Sequence, residues 1–61
     1  MKLKDACISR DGKEDGEQTY KDIIEECQEA AESGSYFDIE EILHDAGFEP
    51  DYLLDVIHTI A

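Results

Sequence analysis

The chain has 61 residues, of which 17 are Asp or Glu against 5 Lys or Arg, giving a net charge of −12 and a pI near 4.1. A chain this short forms one domain at most, near the size at which a single core needs help from a metal, a cross-link or a partner subunit. Its acidity excludes a phosphate-binding footprint and an affinity for anionic membranes, so the partners it favours are basic.

Hydrophobic residues make up 41% of the sequence, enough for a folded acidic domain rather than a disordered tail. Met1 to Asp5 is followed by no apolar run of signal-peptide length, and no stretch approaches a membrane span. The expected location is the cytoplasm, where Cys7 and Cys27 are expected as free thiols. Charge divides the chain in two. Residues 1–21 hold five acids and all five bases, whereas residues 22–61 hold 12 acids and no Lys or Arg.

In chain order, residues 1–18 show no clear period, and Asp11-Gly12 and Asp15-Gly16 punctuate a polar run. A largely irregular or flexible N-terminal segment is expected there, with an acidic helical domain over 19–61. The first helix, about 20–33, starts from Thr19 as N-cap with Asp22 completing a capping-box-like pair. Tyr20, Ile23, Ile24, Cys27, Ala30 and Ala31 share one face, opposite Asp22, Glu25, Glu26, Glu29 and Glu32. Gly34 provides the stop.

The second helix, about 39–46, has Asp38 as N-cap, Glu41 at the third position and Phe37 stapled onto Ile42. Its buried stripe is Ile39, Ile42, Leu43 and Ala46, and Gly47 ends it. Pro50 opens a third helix, about 50–60, with Leu53, Leu54, Val56, Ile57 and Ile60 on one side and Asp51, Asp55 and His58 on the other. The fold class is therefore all-α, a minimal three-helix bundle.

The second and third helices have the outline of a helix-turn-helix, but Asp51, Asp55 and His58 stand where Arg, Lys, Asn or Gln would meet bases and phosphates. Asp11, Asp15, Gly16, Thr19 and Asp22 fit five positions of an EF-hand calcium loop. Lys13 at a ligand position and Asp22 in place of the bidentate Glu weaken that fit. Cys7, Cys27, His44 and His58 form no metal-ligand spacing, and a bundle this small has little room for a catalytic pocket. No catalytic residue, metal or cofactor is assigned.

What remains is the acidic surface. Like charges recur at i,i+3 and i,i+4 along every helix, each spacing costing about 0.2–0.5 kcal/mol, so the surface is read as kept for its field rather than for solubility alone. In size and charge the chain resembles the DNA-mimicking anti-restriction and anti-CRISPR inhibitors of phages and mobile elements. That resemblance implies an inhibitor that fills the basic groove of a nucleic-acid-handling protein. The expected contact residues are Glu25, Glu29, Glu32, Glu40, Glu41, Asp45, Asp51 and Asp55, with Tyr36, Phe48 and Tyr52 as aromatic anchors. The alternatives are an interaction module, antitoxin-like or a homodimer that completes its core on self-association, and a degenerate calcium-binding protein.

Overall fold

The computed structural model describes residues 2–60. Among them every regular element is helical: α1 (Leu3–Asp11), α2 (Lys13–Glu32), α3 (Tyr36–Asp45), a 3-10 turn (Pro50–Tyr52) and α4 (Leu53–Ile60). The all-α class holds with four helices rather than three. At 20 residues α2 is about 30 Å long at 1.5 Å per residue, close to the 32 Å long dimension of the molecule. It is the spine against which α1, α3 and α4 pack.

The N-terminal segment corrects the expectation of an irregular arm. Leu3, Ala6 and Cys7 of α1 are buried in the core beside Ile23 and Cys27 of α2, Ile39 and Leu43 of α3, Phe48, and Val56 of α4. Leu3, Ala6, Cys7 and Arg10 follow the i, i+3, i+4, i+7 spacing of one helix face. That stripe contains a single large aliphatic side chain, too little to stand out among Lys2, Lys4 and Asp5.

Two glycines make the α1–α2 corner. Gly12 alone separates the helices, with φ 91° and ψ 167°, a region essentially closed to residues with a Cβ. Gly16 lies inside α2 and is buried. A Cβ there would stand 2.5 Å from the Cα of Ile8 and 2.7 Å from the carbonyl oxygen of Cys7. The backbones of α1 and α2 touch at this point because Gly16 has no side chain. The Asp11 to Asp22 stretch is thus a helix corner and the first half of a helix. Asp11 ends α1 while Asp15 and Asp22 lie on α2, so the stretch has no loop of the kind an EF-hand uses to wrap calcium. Thr19, expected as an N-cap, is interior to α2 and donates its hydroxyl to Asp11 Oδ2 at 3.2 Å.

The expected stops are present. The Ser35 amide donates to the Ala30 carbonyl and the Gly34 amide to that of Ala31; Phe48 to Leu43 and Gly47 to His44 repeat the same paired closure at the end of α3. The start of α3 differs from expectation. Ser35 is the N-cap, which places Asp38 at the third helical position, and Phe37, expected to staple onto Ile42, is 91% exposed. Pro50 opens the last helical segment through a 3-10 turn, as its missing N–H allows.

Candidate functional site

An open groove of about 770 Å³ lies between α2 and α3. Its floor is Ala30, Ile42 and Ala46, and Ser33 and Ser35 lie at the end nearest the interhelical turn. Glu26 and Glu29 stand on the α2 wall; Asp38, Glu41 and Asp45 stand on the α3 wall. The local sequence dictates this arrangement. Positions 26, 29 and 30 of α2 with its C-cap Ser33, and 38, 41, 42 and 45 of α3, recur at three- and four-residue spacing and so share a face on each helix. Small Ala30 and Ala46 leave the space that larger side chains would have filled.

All five wall carboxylates belong to exposed residues. No Lys or Arg lines the groove, and among the described residues the only ion pair made by Lys or Arg is between Arg10 and Asp11, at 2.9 Å. Glu29, Glu41 and Asp45 of the expected contact set are brought together here. Glu26 and Asp38 join them, although the sequence pattern assigns Asp38 to capping. Their signal was their position three residues before Glu29 and Glu41.

The remaining expected residues divide. Glu25, Glu40 and Asp51 are exposed and lie outside the groove. Glu32 and Tyr36 border a separate depression of about 300 Å³ with Gln28, Ala31 and Ile60, and Tyr36 is 56% exposed. Asp55 serves the fold instead. Its Oδ2 accepts the backbone N–H of Leu3 at 2.9 Å, satisfying one of the open donors at the start of α1. Phe48 and Tyr52 are packing residues rather than surface anchors. Phe48 is 9% exposed and meets the partly buried Tyr52 edge-to-face, with ring centroids 5.9 Å apart.

Arg10 fastens the other end of α1. Its guanidinium lies 4.3 Å from the centroid of the Phe48 ring, and Nη1 donates to the Ala46 carbonyl at 2.6 Å. Nε and Nη2 fork onto Asp11 at 3.0 and 2.9 Å. These bonds from Arg10, helped by the Thr19 hydroxyl, hold the Asp11 carboxyl below its ordinary value against some desolvation. The Asp11 hydrogen bond in turn raises Arg10.

The two thiols are free and buried. Burial pushes Cys7 up, offset in part by the Arg10 charge. Burial, with Glu26 adding to it, pushes Cys27 up to about 11. Both are therefore neutral core side chains at neutral pH, unsuited to nucleophilic work. Among the described residues no group of three or more His, Cys, Asp or Glu side chains is placed to hold a metal ion, and no helix is long and apolar enough to cross a membrane. No family model, curated protein or solved structure matches the chain.

Proposed function

We propose that the protein is a non-enzymatic inhibitor that presents rows of carboxylates to the nucleic-acid-binding surface of a basic protein and so competes with DNA or RNA for it. The observation that carries this reading is the α2–α3 groove, whose two walls bear five exposed carboxylates and no compensating cation. Carboxylates with no Lys or Arg partner within the chain, Asp45 having only the neighbouring His44 at 3.9 Å, are available to pair with Lys and Arg of another molecule. Displacing its counterions makes association fast and salt-sensitive. Holding like charges at three- and four-residue spacing costs stability, and the structure holds them on helices fastened elsewhere.

The test is affinity capture from a native lysate followed by competition. A captured basic protein should be released by added duplex DNA or RNA, and its affinity should fall steeply between low and physiological salt. Capture insensitive to both would eliminate the mimic reading. A second reading, an interaction module that self-associates, is favoured by one observation: Tyr36, Phe37 and Leu54 expose 56%, 91% and 69% of their surface. Light scattering separates the two, because self-association would give a mass near twice that of the chain.

A further inference from the structure

We propose that the groove between α2 and α3 receives a single basic amphipathic α-helix of the partner, in the way that a DNA major groove receives a recognition helix. This rests on the inhibitor reading and specifies which element of the partner is engaged. The floor and the walls ask for different chemistry. Ala30, Ile42 and Ala46 form a small apolar strip, which suits a stripe of Ala, Leu or similar side chains rather than a fully solvated polycation.

The walls repeat at helical spacing. Glu26 and Glu29 are three residues apart on α2; Asp38, Glu41 and Asp45 are three and four apart on α3. Along a helix axis those steps are about 4.5–6 Å. A partner helix lying along the groove presents Lys and Arg at the same steps on each side of its apolar stripe, so successive cations meet successive carboxylates on both walls. An extended strand, whose same-side residues recur at about 6.6–6.8 Å, falls out of step. Charge complementarity also selects the occupant: a second copy of this chain would bring another −12 into an already acidic groove.

The test titrates the full-length, isotope-labelled protein with a synthetic helix of about four turns, long enough to be partly helical alone. The peptide carries an Ala/Leu stripe at i, i+3, i+4 and i+7 with Lys flanking it on both sides, and a scrambled peptide of identical composition is the control. Amide shifts should concentrate on groove residues such as Ala30, Ser33 and Ile42, and the ordered peptide should bind about tenfold more tightly than the scrambled one. The double substitution Glu29→Gln with Glu41→Gln should weaken the ordered peptide about tenfold. Glu25→Gln with Glu40→Gln removes the same charge outside the groove and should change affinity less than about twofold. All four residues are exposed, so both variants should fold.

Equal affinity for ordered and scrambled peptides, shifts centred elsewhere, or equal effects of the two double variants would each overturn the proposal in favour of a diffuse charge effect. These outcomes leave nucleic-acid competition by the captured partner standing. Loss of that competition with ordered-peptide binding retained would instead overturn the inhibitor reading and support the groove as a helix acceptor.

Discussion

The two ends of α2 are built on opposite principles. Its N-terminal half, with α1, is close-packed: backbone meets backbone at Gly16, Arg10 reaches Asp11, Ala46 and Phe48, and Asp55 closes the start of α1. Its C-terminal half shares the core with α3 through Ile23, Cys27, Ile39 and Leu43, but beside that seam carboxylates face an open groove lined by no Lys or Arg. The helix-corner contacts and the unpaired acidic surface are thus weighted toward different ends of one helix and meet at Ala46, which Arg10 holds and which also lines the groove. With nine buried core residues among those described, the chain carries a repulsive surface because another region, neutral in charge, supplies much of the cohesion.

Substitutions at the two ends should therefore give effects of different size and sign. The largest is expected at Gly16→Ala. Glycine to alanine inside a helix ordinarily stabilises by about 1 kcal/mol, but here the methyl would meet backbone atoms of Ile8 and Cys7. A net loss of about 1–3 kcal/mol is expected, as for other overpacked sites. Urea denaturation gives the sign directly, and a gain would mean that α1 does not lie where the structure places it.

Asp55→Ala should come next, at about 0.5–2 kcal/mol, the usual range for losing a helix-capping carboxylate. It should leave partner binding nearly unchanged, since its carboxylate is committed to Leu3. Melting and affinity measured on one sample would separate these effects, and a binding loss matching that of the groove acids would return Asp55 to the contact surface.

Alkaline pH probes the core thiol. The folded protein keeps the Cys27 proton up to about 11, whereas the unfolded chain releases it near its ordinary value of 9.0. Between those values the folded state binds more protons, so this contribution is whole below pH 9 and is lost as pH rises toward 11. Denaturation midpoints across that range should fall less steeply for Cys27→Ala than for the parent. Parallel pH profiles would place the thiol in solvent.

The smallest effect should have the opposite sign. Neutralising Glu29 and Glu41 together should raise stability by a few tenths of a kcal/mol, because each faces like charges three or four positions away. Added salt should raise the parent melting temperature more than that of the variant. A loss of stability on neutralisation would mean that these acids hold the fold.

The α2 and α3 cores were legible because Ile23, Cys27, Ile39 and Leu43 follow a clear helical period, and Gly34 and Gly47 mark ends that depend on local backbone closure alone. α1 was hidden for a physical reason. Its buried face relies on small Ala6 and Cys7 and on the polar reach of Arg10, contacts that form only once Phe48 and Ala46 are beside it. Gly16 beside Asp15 reads as a turn until α1 lies against it. The acids themselves were plain, but their sorting was not: Asp38 looked like a cap, Asp55 looked like surface, and the groove exists only because α2 and α3 pair with alanines between them.

In the proposed division of labour, groove acids bind while the α1 end holds the fold. Its most direct measurement is the affinity of the captured basic partner for the Glu29→Gln, Glu41→Gln protein beside the parent, with and without competing duplex DNA. Binding should weaken about tenfold, thermal stability should be undiminished, and DNA should displace the parent complex. Unchanged affinity, or a parent complex that DNA does not displace, would contradict it.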